Sequence, residues 1–376
     1  MSNTWMPPTP LTPQQVQDSV AFFEDSSSMQ GHVATLASPI LVMNAELCKE
    51  RTVYSLGLEW LTINDLPIEV RKDVGPAVNV GEIPSILYVE KGSAADRAGL
   101  RRNDLLLAVN DVSIKEDPLQ TRLQSHVMGV RPYRRYLTEI LALANEEGNP
   151  VRLTYRRGGV DIVATLQPQK RCNVRVIVTE DAGKFLASDG GTIYLSRGLC
   201  DFTQSDAELQ ALVAHQLGHF IGGHGTKDAS GSIAGGVVGG VATAAVVLPV
   251  AIIGTIFSGI AGESEAAEGL MEGSVALIKG GAAAGSKIGS WVATAGHEME
   301  ADYVSTYLLA RAGVDLDEAL LVWDRLPSES DAAQKHHASD ARLENIEKAI
   351  EEVRTKRDSN EPLIPNPNRE ISESNE

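Results

Sequence analysis

At 376 residues the chain is long enough for two domains, each with its own core, and its composition is that of a soluble globular protein, glycine-rich and poor in aromatics. A net charge of −17 argues against nucleic acid or an anionic membrane as a partner held by charge. Three cysteines, Cys48, Cys172 and Cys200, are too few for a disulfide scaffold.

Residues 1–50 form an N-terminal segment. Its first part is polar and Pro-rich, with a short helix expected around residues 14–23; the apolar stretch 33–47 is expected to pack onto a later domain. The opening residues show neither a basic n-region nor an apolar h-region, so the protein is cytosolic or a signal has been removed. Cys48 and Cys172 flank the next segment, either as a bridge made in an oxidising compartment or as two buried thiols.

Residues 51–169 read as short strands and turns. A strand over 86–89 leads through a turn into a short Ala-rich helix ended by Gly99; a strand to Val109 and a tight turn follow. Two alternating stretches, 151–155 and 160–166, surround Gly158-Gly159, a hairpin signal. Gly92-Ser93-Ala94-Ala95 through Ala98-Gly99-Leu100, with Asn103-Asp104 to Val109-Asn110, resembles a PDZ domain of the bacterial protease-associated kind. That resemblance implies a carboxylate-binding loop at Ser55-Leu56-Gly57-Leu58, with Ser55 where Gly is usual. It also implies a C-terminal peptide added to a sheet edge. Residues 120–145 look like a helical insert. The bland alternative is a domain that only braces its neighbour.

Residues 170–355 are expected to form the second domain. Strands are expected over 174–178 and 191–196, then a helix opened by the capping box Ser205…Glu208, with Leu209, Leu212, Val213, Leu217 and Phe220 at helical spacing. His215 and His219, four apart, stack on one helical face and can take two corners of a tetrahedral zinc site. Residues 229–262 carry no charge and are long enough to cross a bilayer. Their glycines, Pro249 and the acidic flank favour small-residue helices packed over the active-site face instead. A helix over 296–313 follows, stopped at Gly313, then a short one over 315–324 and a last one through Leu343, Ile346, Ile350 and Val353. Residues 356–376 read as a mobile, charged tail.

Zinc needs a third protein ligand, and Glu298 is the best candidate. Asp302, four residues on, is placed to accept the second ring N–H of a ligating histidine. Glu300 points roughly 200° away around the helix from Glu298. His224 lies off the ligand face.

His215-x-x-x-His219 followed by Glu298-x-x-Ala301-Asp302 resembles the M48 zinc metallopeptidases. The resemblance implies an α+β chain, a PDZ-like β-rich domain followed by a mostly α-helical zincin-type (gluzincin) domain binding one Zn2+. It implies a substrate-pairing edge strand at Gly191, Thr192, Ile193 and Tyr194, and oxyanion stabilisers at His336 and Arg342. It further implies protein or peptide substrates and a setting in the bacterial envelope, in the periplasm. In the family pattern the residue after the first histidine is a glutamate that takes a proton from water. Here it is Gln216, which cannot act as a base near neutral pH. We read Gln216 as a Glu to Gln change that traps an inactive form; the alternative is a natural zinc-binding pseudoprotease acting as a PDZ adaptor.

Overall fold

The computed structural model describes residues 10–114, 148–224, 295–326 and 340–366. The fold is α+β, and the described chain divides into two compact units. The first takes residues up to Gly31 and Tyr54–Gln169; the second takes His32–Val53 and the described residues from Lys170 on.

The chain opens with one long helix, α1 (Pro13–Met43), where a short helix and a separate apolar stretch were expected. Pro39 removes one backbone donor inside it. Burial of Val33, Ala37, Ile40 and Leu41 holds the helix through that break, so tertiary packing overrides the local signal. A short pairing of β1 (Thr52–Ser55) with a later strand, β8 (Gln169–Cys172), comes next.

The sheet of the first unit contains β2 (Leu58–Leu61), β3 (Ser85–Val89), β4 (Leu105–Val109), β5 (Val112–Ser113), β6 (Val151–Arg157) and β7 (Val160–Leu166). Its order is β2-β3-β4-β6-β7, with β5 paired to β4, and every pairing is antiparallel. Both tight turns need two residues at positive φ. Asn110 and Asp111 supply 47° and 65° between β4 and β5; Gly158 and Gly159 supply 55° and 83° between β6 and β7. After α2 (Ile68–Arg71), the expected Ala-rich helix is α3 (Ala94–Arg97), capped by the Ser93 side chain on the Asp96 N–H. Ala94, Ala95 and Leu100 close the core against Trp60, Ile86 and Leu106. The helical insert expected over 120–145 lies outside the described residues.

In the second unit β8 (Gln169–Cys172) leads to β9 (Arg175–Thr179), β10 (Leu186–Ser188) and β11 (Thr192–Ser196). Their order is β10-β11-β9, with β11 parallel to β9 and antiparallel to β10. This corrects the expected edge at Gly191, Thr192, Ile193 and Tyr194: β11 is the central strand, its backbone hydrogen-bonded on both sides. Among the described residues β10 and β9 are the two outer strands of this sheet. The three-residue strand β10 was missed because it is too short for alternation to register.

The helices that follow are α4 (Arg197–Phe202), α5 (Asp206–Gly222), α6 (Ala295–Arg311), α7 (Leu316–Ala319), α8 (Leu321–Arg325) and α9 (Asp340–Asp358). The apolar 229–262 segment lies outside the described residues, among which no helix is long and apolar enough to cross a membrane.

Cys48 and Cys172 form a disulfide, with Cα atoms 5.6 Å apart. Beside it Asn44 donates through Nδ2 to the carbonyls of Ile40 (2.8 Å) and Leu308 (3.1 Å). Arg311, on the last turn of α6, donates to Asn44 Oδ1 (2.9 Å), the Met43 carbonyl (3.0 Å) and the Leu363 carbonyl (3.1 Å). Of the run 356–376 expected to be mobile, residues 356–366 are held in place, and residues 367–376 lie outside the described residues. Helix α9 continues to Asp358, Leu363 is held by Arg311, and the Asn366 N–H donates to the Tyr303 hydroxyl. Replacing Arg311 with alanine removes these charged donors together and is expected to cost about 2–4 kcal/mol, read as a lower urea midpoint than that of the parent.

Candidate metal centre

Helix α5 begins where expected. The Ser205 hydroxyl accepts from the Glu208 N–H, but the Glu208 carboxylate turns to the Gln204 N–H (2.7 Å) and to Arg325, so the reciprocal half of the capping box is absent. The helix is buried nearly all round, not along one stripe: Ala211, Ala214, Gln216 and Gly218 are covered as well as Leu212 and Leu217. It ends at Gly223, in the left-handed region at φ 70°. Helix α6 packs across it, and Gly218 makes the approach possible. A Cβ built there would lie 2.6 Å from the Ala301 carbonyl oxygen and 3.1 Å from its Cα.

That approach brings His215, His219 and Glu298 together, all buried. The two Nε2 atoms are 3.1 Å apart; Glu298 Oε2 lies 3.3 Å from His215 Nε2, and Oε1 lies 3.1 Å from His219 Nε2. Zinc bonds of about 2.0–2.1 Å put tetrahedral corners about 3.3–3.4 Å apart, so these separations fit one ion.

The surroundings fit it too. His215 Nδ1 is 2.9 Å from Asp302 Oδ1, so it carries the hydrogen and leaves Nε2 a lone pair facing the Glu298 carboxylate. Two acceptors buried at such range repel unless a cation lies among them. Burial opposes a charged imidazole at His215, yet the Asp302 and Glu298 carboxylates outweigh it and raise its pKa. The field of this pocket favours positive charge.

Arg342, placed on Asp302, makes a two-pronged contact, Nε to Oδ2 at 2.6 Å and Nη2 to Oδ1 at 2.7 Å, with Nη1 3.5 Å from Glu298 Oε2. Burial alone would push the Asp302 carboxyl up; the Arg342 charge and the His215 hydrogen bond hold it below the usual carboxylate range. The structure thus places Arg342 against Asp302. His336 lies outside the described residues. Trp323, which nothing in the sequence singled out, packs its ring 4.8 Å from that of His215 and lies 4.9 Å under the Arg342 guanidinium. Glu300, as its angle on the helix required, faces away from Glu298 and meets His224 Nε2 at 3.0 Å. A nucleophilic cysteine is a poor rival, since burial pushes the Cys200 thiol up to about 12.

In the first unit the loop Ser55-Leu56-Gly57-Leu58 is folded onto residues 90–95. The Ala95 N–H donates to the Leu56 carbonyl (2.9 Å), and the Glu90 N–H to the Gly57 carbonyl (2.9 Å). The Gly57 N–H itself donates to the Ser55 hydroxyl (3.1 Å). Gly57 must be glycine: its φ is 72°, and a Cβ would sit 2.2 Å from that of Ser93.

Two imidazoles one turn apart on a helix, met by a carboxylate from a second helix, are the donor arrangement of zincin-type metallopeptidases. The model of peptidase family M48 matches residues 163–350, half of the chain, and that of the PDZ domain matches residues 85–131. The chain belongs to peptidase family M48, whose members are zinc metalloproteases, and carries a PDZ domain N-terminal to the peptidase region. No curated protein and no solved structure matches it.

Proposed function

We propose that this protein is built as a zinc-dependent endopeptidase of the bacterial envelope, acting on misfolded or envelope proteins that its PDZ domain recruits or gates. The observation that carries the proposal is the buried trio His215, His219 and Glu298 at the spacing of a tetrahedral site. In this reading those three hold the ion, and Asp302, braced by Arg342, orients His215. A zinc ion there supplies Lewis acidity toward a peptide carbonyl and the attacking water. With glutamate at position 216, the side chain takes the proton from that water and returns it to the leaving amine. Gln216 has no such capacity. An extended substrate adds its backbone as a strand to the small sheet of β9, β10 and β11, which is the strand-addition mode. The disulfide Cys48–Cys172 supports an oxidising compartment such as the periplasm.

Gln216 itself favours a second reading, a zinc-binding pseudoprotease that works through its PDZ domain. One experiment separates the two. The Gln216→Glu chain is expected to cleave casein, to stop when a chelator removes zinc, and to resume on adding zinc back. The unaltered chain is expected to be slower by about 10²–10⁴-fold, the usual worth of a general base. A Gln216→Glu chain that binds zinc yet leaves casein intact overturns the protease reading and leaves the adaptor.

A further inference from the structure

His215 receives its orientation from a carboxylate in direct contact, Asp302. His219 meets a second imidazole at its outer nitrogen. Its Nδ1 lies 3.1 Å from Nδ1 of His224, a residue five positions on, just past the end of α5. His224 in turn places Nε2 3.0 Å from Glu300 Oε2, and its ring packs at a tilt of 30° on that of His297, ring centres 4.4 Å apart. His224 is buried, whereas Glu300 reaches the surface with its side chain 39% exposed.

The hydrogens along this chain follow from its outer end. A carboxylate only accepts, so His224 carries its hydrogen on Nε2 and offers Nδ1 as an acceptor. His219 must then carry its own hydrogen on Nδ1. That leaves His219 Nε2 as a bare lone pair, aimed at His215 and Glu298. We infer that His224 and Glu300 are positioning residues for the metal centre. They form a carboxylate–imidazole relay that sets the tautomer and ring orientation of His219, as Asp302 does for His215. The inference rests on the reading of His215, His219 and Glu298 as the zinc ligands. It explains why Glu300, on the wrong face of α6 for a ligand, still points into an imidazole cluster.

The test needs no turnover and uses the full-length chain as it stands, with Gln216. Zinc affinity is measured by competition with a chromophoric chelator, and the visible spectrum of the cobalt(II)-loaded chain reports ligand orientation. Three substitutions carry the logic. His224→Leu removes the acceptor. His224→Asn puts Oδ1 where Nδ1 stood, and His224→Gln moves the acceptor out to the Nε2 position while keeping a polar side chain. His224→Leu and His224→Gln are expected to weaken zinc binding by about 10–100-fold, the usual effect of losing an outer-shell partner. His224→Asn is expected to keep most of the affinity and the parent cobalt spectrum. Should His224→Leu fail to fold, the Asn and Gln pair decides alone, since both are polar and of similar bulk. Parent-like affinity in His224→Leu or His224→Gln overturns the relay, and so does equal loss in the Asn and Gln variants, which would mean that His224 only fills space. Failure of the unaltered chain to bind zinc removes the metal reading itself, and the relay with it.

Discussion

The Arg342→Met chain is expected to lose about 3–5 kcal/mol of stability and most of its zinc affinity. Arg342 is 3% exposed and Asp302 is fully buried, so neither charge has water to fall back on. The guanidinium meets both carboxylate oxygens, at 2.6 Å and 2.7 Å, in the forked geometry that makes such pairs strong. Methionine fills the space but leaves Asp302 buried and uncompensated, and removing one partner of a buried pair is the costly change. Asp302 then takes up a proton or draws in water, and either outcome loosens its hold on His215 Nδ1. Arg342→Lys restores the charge without the fork and is expected to recover part of the loss. The double variant Arg342→Met with Asp302→Asn should be more stable than Arg342→Met alone, because no unpaired charge remains. Urea denaturation read together with chelator competition distinguishes these outcomes. Additive single-site costs in the double variant would show that the two residues do not act as a pair.

Gly218→Ala is expected to act through distance and not through charge. The added methyl would meet the backbone of α6 at Ala301, 2.6 Å from its oxygen, and a backbone carbonyl cannot swing aside as a side-chain tip can. The two helices must part by a few tenths of an ångström or more, at a cost of about 1–3 kcal/mol for overpacking. The same movement carries His215 and His219 away from Glu298, whose carboxylate stands 3.1–3.3 Å from their nitrogens. Zinc affinity is therefore expected to fall together with stability, although no ligand has changed. A Gly218→Ala chain that binds zinc as tightly as the parent would show that the helix spacing does not govern the site.

Much of the centre was legible without coordinates because it depends on helical periodicity. Residues four apart on a helix share a face whatever surrounds them, so His215 with His219, and Glu298 with Asp302, were paired in advance. The same arithmetic turned Glu300 away from Glu298. Turn chemistry was equally local: Gly158-Gly159 needs no partner to demand positive φ. The outer strand β10 could not be found this way. Leu186, Ala187 and Ser188 are too few to show alternation, and which strand ends a sheet depends on what pairs beside it. Helix α1 misled for the same reason, since Pro39 is a local break signal and the burial that overrides it comes from distant residues.

The amino-acid sequence by itself determined the helices that carry His215, His219 and Glu298, the glutamine where a base is expected, and the two-part organisation with a PDZ domain ahead of the peptidase region. Tertiary structure alone decided that Cys48 meets Cys172, that Arg342 grips Asp302, that Trp323 walls His215, and that His224 stands between His219 and Glu300. The division has one physical cause. Backbone geometry links residues a few positions apart, while contacts between segments far apart in the chain exist only once packing has chosen which faces touch.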